Sequence, residues 1–354
     1  MSIDARAWYM VAPGEPCEER ALNLSSCPPG EATVQVAGCG VCHTDISFLY
    51  HNVPTRGELP LALGHEISGT VIEVGEGVDE SLLHRPVLIP AVLPCGTCEL
   101  CRSGRRRICR NQVMPGNDRQ GGFASHIQVP ALYLCPVEDA LLKKHELWEL
   151  SVVADAISTP FQAVKNSGLK AGELAIVIGA GGIGIHAVQV AAACGALVIA
   201  LDIDADKLET ALAHGASGGI DVSGLSSKEI RAAVKEKAKT LHAPPYCWKI
   251  LETSGSGPGQ ETALALLGFG AWLGIVGFTM KKLEFMPSKL MAFDATIEGN
   301  WGSDPTIYPE VLEWLRDGRL KVSPFVERHP LEDLNPVLQA ARDGKLQKRA
   351  VMTP

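Results

Sequence analysis

From residue 174 to residue 201 the chain carries no Asp, Glu, Lys or Arg, and the run ends on an acid, Asp202. A stretch that long and apolar could cross a membrane. Glycines at 179, 181, 182, 184 and 195 instead divide it into short pieces. The pieces read as a buried strand at 174–178, a glycine turn, a buried helix through 193 and a second strand at 197–201. Gly179, Gly181, Gly182 and Gly184 thus form a glycine-rich turn between a strand and a helix, followed at a distance of about 20 residues by an acid. Such glycines permit a tight turn and the close approach of a pyrophosphate, which then sits on the helix N-terminus. Asp202 can bind both ribose hydroxyls and would repel a 2′-phosphate, which favours NAD over NADP. Further strands at 250–254 and at 272–276, the second closed by the cofactor-side residue Val276, predict a parallel, doubly wound sheet.

The N-terminal half follows a different pattern. Residues 6–90 read as short β-segments separated by turns, with alternating strands at 32–37 and 68–74. Within this mainly β region, Cys42 and His65 offer a thiol and an imidazole, Glu66 a carboxylate, and Thr44 a hydroxyl beside the thiol. Sulfur with imidazole suits zinc, and a hydroxyl beside the metal suits moving a substrate proton. A third ligand must come from elsewhere. Residues 147–164 have a helical pattern and carry Asp155 among apolar neighbours, where a carboxylate is either ion-paired or metal-bound.

A separate lobe at about 90–111 holds Cys95, Cys98, Cys101 and Cys109. Four thiolates at this spacing can close a tetrahedron with no open position, which makes the site structural. The nearby Arg102, Arg105, Arg106, Arg107 and Arg110 raise the alternative of a zinc-ribbon module for nucleic acid. A net charge of −8 and the lack of interleaved aromatics weigh against nucleic acid as a partner. Eleven cysteines is an odd count, and four of them have metal-ligand spacing, which points to a reducing, cytoplasmic setting. The first residues show no apolar run of the kind a leader carries. Helices are expected at 308–316 and 334–342, and the basic residues at 348–349 could reach cofactor phosphates.

Together these motifs resemble the zinc-containing alcohol dehydrogenases of the medium-chain dehydrogenase/reductase family over essentially the whole chain. The resemblance implies an α/β fold with a GroES-like, mainly β catalytic domain (1–157 and 301–354) and a Rossmann domain for NAD (158–300). It implies two zinc ions per chain. Cys42 and His65 match catalytic-zinc ligands, Asp155 falls where relatives usually place a cysteine, and Glu66, adjoining His65, is either a supporting group behind the ligands or a transient ligand during exchange. His43 and Arg349 match pyrophosphate-contacting positions, and Asp202 with Lys207 match the ribose-binding pair. One departure affects the proton path beyond Thr44. Relatives often carry a histidine where this chain has Ser47, so Ser47, His51 or water would continue the relay.

A closer resemblance lies in residues 39–47, 87–95, 114–118 and 121–124. It is to the branch of the family that oxidises an alicyclic hydroxyacyl-CoA during anaerobic breakdown of aromatic compounds. That implies a small-molecule substrate with an anionic CoA portion, for which Lys281, Lys282 and the arginines from Arg105 are candidate contacts. A homo-oligomer, dimer or tetramer, is implied as well. The alternatives are the same enzyme type acting on a free alcohol or polyol, and a non-catalytic zinc-stabilised NAD-binding sensor. The retained Cys42, Thr44, His65 and Glu66 speak against the sensor.

Overall fold

A computed structural model describes residues 5–24 and 26–354. The expectation about a leader falls largely on residues 1–4, outside the described residues. The chain divides into two compact units. The first comprises Met1–Ser158, Gly302–Asp317 and Lys321–Pro354; the second comprises Thr159–Trp301 and Gly318–Leu320.

The first unit is built on a mostly antiparallel sheet. Its strands run in the order Val326–Pro330, Arg349–Thr353, Glu31–Gly40, Glu66–Val74, Pro86–Ile89 and Cys135–Pro136, and His126–Pro130 also pairs with Glu31–Gly40. Alternation along Glu31–Gly40 sends Ala32, Val34 and Val36 into a core with Ile67, Val71 and Phe123. The predicted helices at the C-terminal end form as Tyr308–Arg316 and Leu334–Arg342. Each buries residues at helical spacing: Tyr308, Val311, Leu312 and Leu315 in one, Leu334, Val337 and Leu338 in the other.

Two local expectations fail in this unit. The region read as β-segments and turns contains a helix, His43–Tyr50, whose N-cap is Cys42. A reciprocal cap explains it: Asp45 accepts the Cys42 N–H at 2.9 Å, three residues back. The helix expected across 147–164 is broken. Glu149–Ala154 is a 3-10 turn, Asp155 has φ −143° and ψ −57°, and an α-helix begins only at Ser158. Leu150 to Ala154 are all buried, so that segment has no solvent face and no amphipathic period to extend.

The second unit is a six-stranded parallel sheet in the order Gly218–Asp221, Leu197–Asp202, Leu174–Ile178, Lys249–Glu252, Trp272–Ile275 and Thr296–Gly299. By position in the chain that is third, second, first, fourth, fifth, sixth, the doubly wound order. The crevice at the switch point lies between the carboxyl ends of the first and fourth strands. The uncharged stretch resolves into strand, turn, helix and strand, and no helix among the described residues is long and apolar enough to cross a membrane.

The glycine turn is closed so tightly at Gly179 and Gly184 that side chains are excluded there. A Cβ on Gly184 would stand 1.7 Å from the Gly179 carbonyl oxygen, and one on Gly179, at φ +86°, would stand 2.7 Å from the Ser254 Cα. Thr253 Oγ1 donates to the Gly179 carbonyl at 2.7 Å, joining the turn to the end of the fourth strand. We expect Gly184→Ala to lower unit stability by about 1–3 kcal/mol, the usual effect of overpacking, and to weaken NADH binding. Thermal unfolding and NADH fluorescence titration check both effects.

Candidate active site

The sulfur, nitrogen and oxygen donors come together in the first unit. Cys42 enters as the N-cap of the helix His43–Tyr50, His65 precedes the strand Glu66–Val74, and Asp155 sits at the break between the two helical segments. Donor atoms of Cys42, His65, Glu66 and Asp155 all lie within 4.8 Å of one another. Asp155 Oδ2 is 3.9 Å from Cys42 Sγ and 3.6 Å from His65 Nε2. A tetrahedron with zinc bonds of 2.0–2.3 Å has edges of about 3.3–3.8 Å, so these three residues fit a single zinc ion. Thr44 Oγ1 lies 3.6 Å from Cys42 Sγ.

Sequence reasoning missed the residue that ties this cluster together. Asp45 is fully buried, accepts the Cys42 N–H at 2.9 Å and the Gly64 N–H at 3.1 Å, and lies 3.6 Å from His65 Nδ1. It therefore fixes the backbone at one donor and next to another. An acid three residues after a capping residue is the signal that could have revealed it. Burial alone would push the His65 imidazole towards neutrality, but the Asp45 and Asp155 carboxylates outweigh it and hold its pKa well above the usual value. With a cation on Nε2, Asp45 would instead hold the neutral ring with its proton on Nδ1.

Glu66 belongs to a second buried arrangement. Arg349 Nε donates to its Oε2 at 2.7 Å and Nη2 to its Oε1 at 2.5 Å. Burial raises the Glu66 carboxyl above the usual carboxylate range, and the guanidinium offsets only part of that rise. Room for the pair depends on Gly40, where a Cβ would stand 2.1 Å from Glu66 Oε2. Arg349, matched to a pyrophosphate position, is thus engaged by Glu66 in this structure. Ser47 Oγ donates to the His43 carbonyl at 2.9 Å within the helix, and His51 is the exposed C-cap residue of that helix. His43 is exposed at its first position.

The four-cysteine lobe is equally well formed. Its Sγ–Sγ separations are 3.5 Å (Cys98–Cys101), 3.5 Å (Cys95–Cys109), 3.7 Å (Cys98–Cys109) and 4.0 Å (Cys95–Cys101). Bonds of 2.3 Å to one zinc give edges of about 3.8 Å. Donors from Thr97 and Cys98 hold the Cys95 thiol down to about 5, whereas burial and its sulfur neighbours push Cys101 up to about 12. Of the arginines, Arg106 is committed to Asp304 at 3.3 Å, and Arg105 is exposed.

In the second unit Asp202 ends its strand. Its Oδ2 accepts the Ala180 N–H at 2.6 Å, and its Oδ1 accepts those of Ile203 and Asp204 at 2.8 and 3.1 Å. Lys207 pairs with Asp204 at 3.6 Å instead of Asp202. Val276 follows the strand Trp272–Ile275, and its N–H donates to the Glu252 carbonyl at 2.9 Å. Glu252 was also missed. Its buried carboxylate accepts from the Ser254 and Gly255 N–H groups at 2.9 and 3.2 Å, which shapes the turn packed against Gly179.

Comparison with known proteins places both parts. Residues 28–139 match the alcohol dehydrogenase GroES-like domain, and residues 182–317 match the zinc-binding dehydrogenase domain. An alcohol dehydrogenase of Geobacillus stearothermophilus is 31% identical over 324 residues, 91% of each chain. The chain belongs to the zinc-containing medium-chain alcohol dehydrogenase family. Among solved structures it is similar to the alcohol dehydrogenase of the archaeon Aeropyrum pernix, with 28% identity and a TM-score of 0.88 over 99% of this chain and 100% of that one. It is also similar to acetophenone reductase from Geotrichum candidum in complex with NAD, with 26% identity and a TM-score of 0.86 over 100% and 98% of the two chains. As an alcohol dehydrogenase, the protein acts on CH–OH groups with a nicotinamide dinucleotide as hydride partner.

The Glu66–Arg349 pair yields a pH-dependent prediction. Replacing Arg349 by Met leaves a carboxylate buried without its cation, a change that typically destabilises by about 3–5 kcal/mol. Burial already holds the folded-state pKa of Glu66 above its unfolded value, and without the guanidinium it rises further. The stability this group contributes is then present at low pH and lost as pH rises through the folded pKa. The stability gap between wild type and Arg349→Met should therefore be narrower at pH 6 than at pH 8, as read by denaturant titration.

Proposed function

We propose that this alcohol dehydrogenase oxidises a secondary alcohol to a ketone at a zinc ion held by Cys42, His65 and Asp155, with NAD as acceptor. The observation that carries the reading is the triangle of sulfur, nitrogen and oxygen donors with edges of 3.6 and 3.9 Å beside the Thr44 hydroxyl. When bound, zinc supplies Lewis acidity that eases loss of the substrate's hydroxyl proton, and NAD supplies the hydride acceptor. Thr44 Oγ1 receives that proton and hands it outward. Asp45 fixes the Cys42 and Gly64 backbone so that the thiolate and imidazole keep their places. Cys42 thiolate and Asp155 carboxylate together carry two negative charges, the same total as two thiolates. Cys95, Cys98, Cys101 and Cys109 hold a second, structural zinc. Asp202 favours NAD because its carboxylate would repel the 2′-phosphate of NADP.

The substrate is 6-hydroxycyclohex-1-ene-1-carbonyl-CoA, and the product is the conjugated 6-oxo ketone. Support comes from the residues at 39–47, 87–95, 114–118 and 121–124 that carry the closer resemblance. Three of these segments meet at the backbone beside His65. A Cβ on Gly116 would stand 2.8 Å from the Gly64 nitrogen, one on Gly121 would stand 2.4 Å from the Gly64 oxygen, and one on Gly122 would stand 2.9 Å from Cys39 Sγ. Lys281 and Lys282, both exposed, are the cations we assign to the anionic CoA portion.

Two experiments test these readings. NADH formation is followed with the CoA thioester and with the corresponding free alcohol. We expect turnover of the thioester; turnover of the free alcohol alone would replace this substrate with a simple alcohol or polyol. Asp155→Ala should reduce zinc from about two ions per chain to about one by elemental analysis while the fold persists. Retention of both ions would remove Asp155 from the ligand set.

A further inference from the structure

Tyr308 is fully buried on the helix Tyr308–Arg316, and a phenylalanine would fill the same apolar space. What distinguishes it is where the hydroxyl goes. The Ala91 N–H donates to Tyr308 Oη at 3.3 Å, and Tyr308 Oη donates to the carbonyl oxygen of Ala154. Ala154 is the last residue of the 3-10 turn, immediately before Asp155. Because Asp155 leaves helical geometry, that carbonyl lies at the break between two helical segments and takes side-chain donors. Ser158 Oγ is the second donor at 3.2 Å, and Ser303 Oγ donates to Ser158 Oγ at 2.9 Å. Two hydroxyls therefore grip the peptide that leads into Asp155, one backed by the Ala91 N–H and the other by the Ser303 hydroxyl.

We propose that Tyr308 is a positioning residue for the catalytic metal, holding the Ala154 carbonyl so that the Asp155 carboxylate meets Cys42 and His65. The proposal rests on the reading of Asp155 as a ligand. Burial, with the Asp155 charge adding to it, pushes the Tyr308 hydroxyl up to about 12, so it remains a neutral donor across the working range. The Asp155 backbone, at φ −143° and ψ −57°, departs from helical geometry directly after the gripped carbonyl. The two hydroxyls on the Ala154 carbonyl fix the peptide from which it departs. Outer groups that orient a ligand typically change metal affinity about 10–100-fold when removed.

The test uses the full-length enzyme loaded with two zinc ions and a chromogenic chelator that reports zinc release. In Tyr308→Phe, one zinc should bind about tenfold more weakly, while the ion of the four-cysteine lobe is released as in wild type. Cobalt substituted at the weakened site should show shifted visible bands, because the geometry of the oxygen ligand changes. In an Asp155→Ala background, Tyr308→Phe should cause no further loss. Wild-type release of both ions from Tyr308→Phe overturns the proposal. So does an equal weakening of the four-cysteine ion in Tyr308→Phe, since the hydroxyl would then act by another route. If Asp155→Ala itself retains both ions, the ligand reading fails and this proposal falls with it. Should Tyr308→Phe not fold, Ser158→Ala removes the other donor to the same carbonyl and is expected to loosen the same single ion; wild-type release in that variant overturns the proposal.

Discussion

A carboxylate with no exposure to water anchors the first unit. Asp45 accepts one N–H from Cys42 and another from Gly64, two residues far apart in the fold's wiring but adjacent around the donor cluster. A buried charge is tolerable only when its oxygens are satisfied, and both are. The helix His43–Tyr50 starts where it does because Asp45 caps it, and the turn at Gly64 keeps its φ of +92° because the same side chain holds its nitrogen. Two further buried polar groups follow the same logic. Glu66 fastens the C-terminal strand through Arg349, and Tyr308 grips the peptide ahead of Asp155. Each donor that chemistry needs is thus attached to backbone that something buried holds in place.

Much of this was legible in the sequence, and the reasons are physical. The glycine turn between 179 and 184 could be placed because strand, turn, helix and terminal acid each leave an independent mark, and the parallel sheet of the second unit forms in the expected strand order. The cysteine quartet was legible because ligand spacing within a short lobe nearly determines closure. The helices at 308–316 and 334–342 were legible through apolar spacing. By contrast, the helix at 43–50 buries Asp45 beside Ile46, Phe48 and Leu49, so no clean period appears. The break at Asp155 was invisible for the opposite reason. A run of buried residues from 150 to 154 looks alike whether it coils as 3-10 or α, and only tertiary contacts decide between them. Long-range partners such as Arg349 with Glu66 and Tyr308 with Ala154 leave no local trace at all.

The second unit shows how little freedom its glycine turn retains. Gly179, Gly184 and the turn after Glu252 approach so closely that a single methyl group would collide with backbone. Asp202 completes the arrangement by accepting the Ala180 N–H, so the acid expected to meet ribose also holds the glycine turn. If that carboxylate also meets ribose as proposed, cofactor preference is tied to the integrity of the turn.

The oxygen donor at 155 has a chemical consequence of its own. With a carboxylate as the third member, the Cys42, His65 and Asp155 cluster contains one sulfur, so an oxidant cannot close a disulfide between its ligands. The lobe is different, since Cys95, Cys98, Cys101 and Cys109 have neighbouring sulfurs at 3.5–4.0 Å. An oxidant could therefore close disulfides within the lobe, whereas at Cys42 it could only oxidise or cap a single sulfur.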